Sequence, residues 1–282
     1  MKKVGIIGNG FVGSAIAAGF ALHAEIMIYD KDPKRSLDPL DELVNNCEFI
    51  FVGVPTPMES TTDGTISLDI LDSVMEEIST LNKRTDNIFI LKSTIVPGTT
   101  QSYIERYPHL NIVFNPEFLT ERAARLEFIN ASRIVIGGDP ALVARVEGLY
   151  RTRFPITQII KTDTKSAEFI KYMCNCFFGA KVSFMNEMRQ MSYRDALNWE
   201  DIMAGFLSDG RIGNSHVDVP GHDGSFGFGG KCFPKDMNAF IKYFEDKNIK
   251  PTLLKAAWEK NLEVRKNHDW LNIKDAVSNK GE

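Results

Sequence analysis

Cysteine is scarce in this chain: Cys47, Cys174, Cys176 and Cys232 are the four among 282 residues. Their spacing offers no disulfide framework, and none pairs with the five scattered histidines as a zinc site would, so no metal is expected. Cys174 and Cys176 stand two apart in a stretch of helical periodicity and so point in different directions. A reducing, cytoplasmic compartment is the simplest expectation. No apolar run approaches the ~20 residues that span a bilayer, which argues against a membrane protein. Nor is positive charge in excess: the net charge is -4 with both signs interspersed, which argues against nucleic-acid binding. Lys2 and Lys3 ahead of an apolar stretch mimic a signal peptide, but the regularly spaced glycines that follow argue against one. What remains is a globular composition, 43% hydrophobic and 25% charged, in a chain long enough for one large domain or two ordinary ones.

Apolar, β-branched runs recur in "KVGIIG", "EIMIYD", "CEFIFVGVP", "NIFILKST", "NIVFNPE" and "SRIVIGG", with helical stretches between several of them. This alternation, through about residue 160, predicts an α/β fold: a doubly wound, mostly parallel sheet with helices on both faces. The texture then changes. "DTKSAEFIKYMCNCFFGAKVSFMNEMRQMSYRDAL" predicts one long helix starting after Asp163 or Thr164, and "NWEDIMAGFL" a shorter one. Residues 208–231 form a long Gly-rich loop, helical texture resumes after Pro234, and "PTLLKAAWEKNLEVRKNHDWLNIKDAV" predicts a final helix.

Gly8-x-Gly10-x-x-Gly13 follows a strand and opens a helix. The first glycine permits a tight turn, the second lets a pyrophosphate approach the backbone, and the third allows close helix–strand packing. Asp30 closes the second strand 22 residues after Gly8, where its carboxylate can bond ribose hydroxyls and repel a 2′-phosphate. NAD is therefore expected over NADP, although Lys31, Lys34 and Arg35 keep NADP open. The expected division is a Rossmann-like NAD-binding domain over 1–161 and an all-helical domain over 162–282, built on the long central helix.

On that helix Lys171 and Asn175 share a face, and Asn186 returns near the same direction three turns on. Such a stripe could hold a substrate oxygen or stabilise an alkoxide as hydride leaves. Equally, Lys171 could snorkel to solvent and Asn175 bond a neighbouring loop. In "GSFGFGGKCFPKD" a cysteine precedes a proline-started helix and lies between Lys231 and Lys235. Both the helix dipole and the lysines lower a thiol pKa, and the glycines let backbone N–H groups reach a ligand.

"GNGFVG", "FVGVPTP", "LKSTIVPGT", "NPEFLTE", "SRIVIGG", "AEFIKYMCN", "NEM", "DGRIG" and "GFGGKCFPKD", in that order over nearly the whole chain, resemble the UDP-glucose/GDP-mannose dehydrogenase family. The resemblance implies four-electron oxidation of a nucleotide-sugar C6 alcohol to the carboxylate with two NAD, with UDP-glucose the expected substrate and GDP-mannose or a UDP-aminosugar the alternatives. It implies Cys232 as the nucleophile that forms a thiohemiacetal and then a thioester. Lys171 and Asn175 would stabilise the oxyanion, Asp236 would organise charge and water, Glu121 would help proton movement in hydrolysis, and Thr94 would lie near the reacting centre. Gly8, Gly10, Phe11, Val12, Gly13, Asp30, Lys34, Val54, Pro55, Thr56, Thr94 and Glu121 would face the NAD. The nucleotide sugar would meet Glu117, Phe118, Leu119, Lys171, Asn175, Phe228, Gly229 and Cys232. Arg211 would reach that site from a neighbouring subunit, in a homodimer formed through the long helix.

Family members usually continue into a second αβ nucleotide-binding domain, which the residues up to Glu282 do not contain. Thr120 and Arg122 also stand where other residues are common. A minimal active enzyme, a half-enzyme completed by another chain and a cofactor-binding remnant are all open. The rival reading within the wider class is a β-hydroxyacid dehydrogenase, which shares the Lys-x-x-x-Asn helix but makes one hydride transfer and has no use for Cys232.

Overall fold

The computed structural model describes residues 1–60, 64–274 and 276–278. They fall into two compact units: Met1–Thr56 with Leu68–Lys171, and Pro57–Ser67 with the chain from Tyr172 onward.

The first unit carries strands β1 (Lys2–Ile7), β2 (Ala24–Tyr29), β3 (Phe49–Val52), β4 (Ile88–Leu91), β5 (Asn111–Phe114), β6 (Arg133–Gly137) and β7 (Gln158–Thr162). They form one sheet in the order β2-β1-β3-β4-β5-β6-β7. All neighbours are parallel except β5 and β6, which meet antiparallel at Phe114 and Gly137. Every residue of β3 and β4 is buried, as expected where helices cover both faces of a parallel sheet. The alternation of side chains sorts the strands between two cores. Phe49, Phe51, Ile88 and Ile90 pack with α1 (Phe11–Phe20), α5 (Ala124–Ile129) and α6 (Pro140–Arg153). Ile50, Val52, Phe89 and Leu91 pack with α2 (Leu40–Asn46), α3 (Asp69–Leu81) and α4 (Thr99–Arg106). The doubly wound, mostly parallel sheet is thus present. Strand β7 was not among the expected strands. It is partly exposed at the sheet's edge, so it lacks the unbroken apolar run that marks its neighbours.

The long helix α7 (Thr164–Arg194) begins where expected, with Asp163 accepting the Ser166 N–H at 2.8 Å. The second unit adds α8 (Trp199–Leu207), capped by the Asn198 side chain, then α9 (Phe233–Glu245) and α10 (Thr252–Val264). Residues 208–232 contain neither helix nor strand. The final helix is shorter than its expected span. It stops at Val264 because the chain turns at Arg265 (φ -90, ψ 108), whose guanidinium is buried against Asp223 and Asp269. A short 3-10 turn, Asp269–Leu271, follows; Asp275, within the expected helix, lies outside the described residues. Segment Pro57–Ser67, inside the span expected for the first domain, belongs to the second unit, where Met58 pairs with Ile66 and Val277. No helix among the described residues is long and apolar enough to cross a membrane.

Candidate active site

In the first unit the order of strands reverses between β1 and β3, and the loops leaving both strands carry the expected cofactor residues. Gly8 has φ +96 and its missing Cβ would strike the Gly53 carbonyl; at Gly13 a Cβ would strike the Gly8 carbonyl. Gly10, the N-cap of α1, differs: beyond its chain neighbours, no atom of the described residues lies within 4 Å of where its Cβ would be. The fold itself demands glycine at 8 and 13, whereas at 10 it leaves an open cradle at a helix N-terminus, suited to a pyrophosphate. Asp30 does double duty. Its Oδ2 accepts the Asn9 N–H at 2.7 Å and its Oδ1 the Asp32 N–H at 2.8 Å, fixing the loop to the end of β2. Each oxygen retains acceptor capacity for a ribose hydroxyl. Phe11, Val12 and Val54 are half-buried around the loop, while Lys34 and Pro55 are exposed. The buried Thr56 hydroxyl donates to the Thr94 carbonyl at 2.7 Å, and the Val54 N–H donates to Ser93 Oγ at 3.0 Å. Glu121 is exposed and shares a shallow hollow of about 250 Å³ with Phe11 and Ser14 of α1. These residues fit a bound dinucleotide.

Behind them lies a buried cluster that joins the expected Glu117, Phe118 and Lys171 to three residues sequence reasoning did not name, Lys92, Asn115 and Tyr150. Lys92 Nζ, at the end of β4, donates to Asn115 Oδ1 at 3.0 Å and to the Pro116 carbonyl at 3.3 Å. The Tyr150 hydroxyl donates to the same Asn115 oxygen at 2.5 Å. Glu117, 8% exposed, stands 3.8 Å from Lys171 Nζ and accepts the Leu119 N–H through its other oxygen. Lys171 also lies 5.7 Å from the Phe118 ring, which the Arg133 guanidinium covers at 4.3 Å. Part of this cluster lines a cavity of about 370 Å³ with Phe118 and Leu119. Lys171 therefore does not snorkel to solvent; it is buried and faces a carboxylate. Burial pulls the Lys92 pKa down to about 7, opposed by Glu117 and assisted by Lys171. The signal for Lys92 was legible: a lysine directly after the all-apolar "IFIL".

A pH dependence follows. Above pH 7 and up to the ordinary lysine range near 10.5, the unfolded chain holds the Lys92 proton and the folded chain does not. Stability therefore rises with pH across that window, and the full cost of burying the charged amine is felt below it. Lys92→Met is expected to flatten this part of the profile, read by denaturant melts from pH 6 to 10. A variant profile parallel to that of the wild type contradicts the assignment.

In the second unit Cys232 is half-buried and in no disulfide, at the N-cap of α9, with Pro234 in the first turn. One turn on, Asp236 is 1% exposed. Its Oδ2 accepts Asn175 Nδ2 at 2.6 Å and its Oδ1 accepts Lys235 Nζ at 2.5 Å. Asn175 thus bonds a carboxylate from α9. Asn186 serves a different purpose from the stripe expected of it: its Oδ1 accepts the Gly227 N–H at 3.1 Å, holding the Gly-rich loop. Phe228 is buried against Phe233 and Trp258, with its N–H and carbonyl both bonded to Asn261. A Cβ at Gly229 would strike Arg265 and Asp269, so this glycine is required by packing. Arg211 is exposed and pairs with Asp209, two residues away. Burial pushes the Cys176 thiol well above the usual range, which makes it inert beside Cys232.

The chain was compared with known families, proteins and structures. The NAD binding domain of the UDP-glucose/GDP-mannose dehydrogenase family matches residues 36–154, and the central domain of the same family matches 165–263. A UDP-glucose 6-dehydrogenase of Campylobacter jejuni is 28% identical over 94% of this chain and 72% of its own length. The putative UDP-glucose 6-dehydrogenase YtcA of Bacillus subtilis is 31% identical over 90% of this chain and 66% of its own. The structure of a UDP-glucose dehydrogenase from Pyrobaculum islandicum superposes with a TM-score of 0.80 at 26% identity, covering 93% of this chain and 68% of that one. A 3-hydroxyisobutyrate dehydrogenase from Mycobacterium tuberculosis, at 14% identity and a TM-score of 0.74, shares the fold. The chain spans between 44% and 72% of the length of its named relatives. With two successive domains of one family matched over most of its length, this chain is a member of the UDP-glucose/GDP-mannose dehydrogenase family.

Proposed function

We propose that the protein oxidises the C6 alcohol of a nucleotide sugar, UDP-glucose foremost, to the carboxylate in two steps. The observation that carries this reading is Cys232 at the N-cap of α9, one turn from the buried Asp236 that bonds Asn175 and Lys235. A two-electron dehydrogenase has no use for such a thiol. NAD, held by the Gly8–Gly13 loop, Asp30 and Thr56, would accept a hydride in each oxidation. Lys171 and Asn175, four apart on α7, supply an ammonium and an amide to an oxygen gaining negative charge. The Cys232 sulfur, as thiolate, adds to the C6 aldehyde carbon while the carbonyl oxygen takes a proton, giving a thiohemiacetal. Loss of hydride from that carbon and of the hydroxyl proton leaves a thioester. Water then displaces sulfur, releasing the carboxylate and restoring the thiol. Glu121 serves that last proton transfer, and Glu117 holds Lys171. The test is NADH formed per sugar consumed, over a panel of nucleotide sugars. Two per sugar supports the reading; one points to the simpler hydroxyacid chemistry, and cofactor binding without turnover to a half-enzyme or remnant.

We assign dinucleotide binding to the first unit, and thiol chemistry and dimerisation to the second. Supporting a homodimer, Met173, Phe177, Phe184, Met188 and Met191 form one apolar stripe along α7, each 42–63% exposed. Arg211 would then serve the partner's site. Phe177→Glu with Phe184→Glu is expected to turn a dimer into a monomer by light scattering and to remove most activity. A variant that stays dimeric rejects α7 as the interface.

A further inference from the structure

The loop that delivers Cys232 is held by side chains far along the chain. Asn261 of α10 is fully buried; its Oδ1 accepts the Phe228 N–H at 2.6 Å and its Nδ2 donates to the Phe228 carbonyl at 3.0 Å. Arg265, 3% exposed, pairs through Nη2 with Asp223 at 2.8 Å and Asp269 at 3.1 Å. Its Nη1 reaches the Phe226 carbonyl at 3.5 Å, and its Nε donates to the Asn267 carbonyl at 2.9 Å. Asp269 Oδ2 accepts the Gly230 N–H at 3.1 Å, two residues from the thiol. The glycines are shaped to this clamp. At Gly227 (φ +70) a Cβ would strike Asn261 Oδ1, and at Gly229 it would strike the guanidinium. The expectation that these glycines bare backbone to a ligand is corrected at both positions. Gly230, with no atom of the described residues beyond its chain neighbours within 4 Å of its Cβ position, keeps that openness.

We infer that Asn261 and Arg265 are positioning residues for Cys232, acting through the backbone of residues 226–230. Charge-assisted bonds to a buried guanidinium and an amide that answers both polar groups of one peptide give the loop a single rigid seat. The seat matters to one half of the reaction, because only the aldehyde needs sulfur. A shift of the thiol by about 1 Å can slow its addition about 100-fold. This inference rests on the proposed role of Cys232.

The experiment measures alcohol and aldehyde oxidation separately, using the nucleotide sugar and its 6-aldehyde, in Asn261→Ser, Arg265→Met and Arg265→Lys. We expect aldehyde oxidation to fall about 100-fold in the first two, alcohol oxidation to change only a few-fold, and NADH yield to drop towards one per sugar. Arg265→Lys restores part of the loss. Asp223→Asn, at the exposed end of the cluster, covers failure of the buried variants to fold, and is expected to show the same bias more weakly. Iodoacetamide labelling of Cys232 relative to Cys174 should change in parallel. Equal loss in both oxidations, or loss in neither, overturns the inference. If Cys232→Ala itself still yields two NADH per sugar, the proposed chemistry fails and not merely the clamp.

Discussion

Cys232→Ala is expected to end carboxylate formation while leaving the first oxidation in place. The loss in overall turnover should be on the order of 10⁴-fold or more, the scale seen when a covalent nucleophile is removed. The reason lies in the substrate's electrons. An aldehyde carbon has no hydride to give until something adds to it, and Cys232 is a half-buried thiol presented by a helix N-terminus and the Gly-rich loop. Cys47 and Cys176 cannot substitute: both are buried, with the Cys47 thiol pushed up to about 12 and that of Cys176 well above the usual range. One equivalent of NADH per sugar, with aldehyde trapped by a hydrazine reagent, is the expected readout. Undiminished carboxylate from the alanine variant would remove Cys232 from the mechanism.

The largest effect on stability is expected at Asp236. This carboxylate is 1% exposed and joins two buried partners, Lys235 and Asn175. Asp236→Ala leaves the Lys235 ammonium without its counter-charge, and breaking a buried pair in this way costs about 3–5 kcal/mol. It also frees the Asn175 amide. Asp236→Leu combined with Lys235→Met removes both charges at once and should recover most of that stability, because a well-packed apolar pair often equals an ion pair. Activity should not return with it. Denaturant melts and NADH turnover measured side by side separate the two roles; a double variant as active as the wild type would make Asp236 purely structural.

The parts of the fold that depend on local pattern were legible. β3 and β4 read directly from "FIFV" and "IFIL", and α7 from its spacing and the Asp163 cap. The glycine loop and Asp30 were readable because strand, turn, helix and carboxylate fall within 30 residues. β7 was missed because an edge strand needs no continuous apolar run, and α10 was overextended because its stop depends on what Arg265 meets elsewhere in the fold. The same limit hid the clamp on the cysteine loop. Asn261 lies 33 positions from the peptide it holds, and no periodicity links them. Lys92 and Asn115 join from separate strand ends, so their partnership is a property of the sheet order.

The excursion of residues 57–67 sets a timetable for making the protein. Met58 donates its N–H to the Ala276 carbonyl at 2.9 Å and accepts the Ser278 N–H at 2.6 Å, about 220 positions later. At ribosomal speeds of about 5–20 residues per second, Met58 waits roughly ten to forty seconds for these partners to emerge. Through that interval the first unit can close its sheet, with Thr56 already bonded to Thr94. The segment beyond Thr56 can close on itself meanwhile, the Glu59 N–H donating to the Thr65 carbonyl and the Ser67 N–H to the Pro57 carbonyl at 2.8 Å, while Met58 waits for residues 276–278. The pairing at Met58 is therefore among the last contacts the chain can make as it is synthesised.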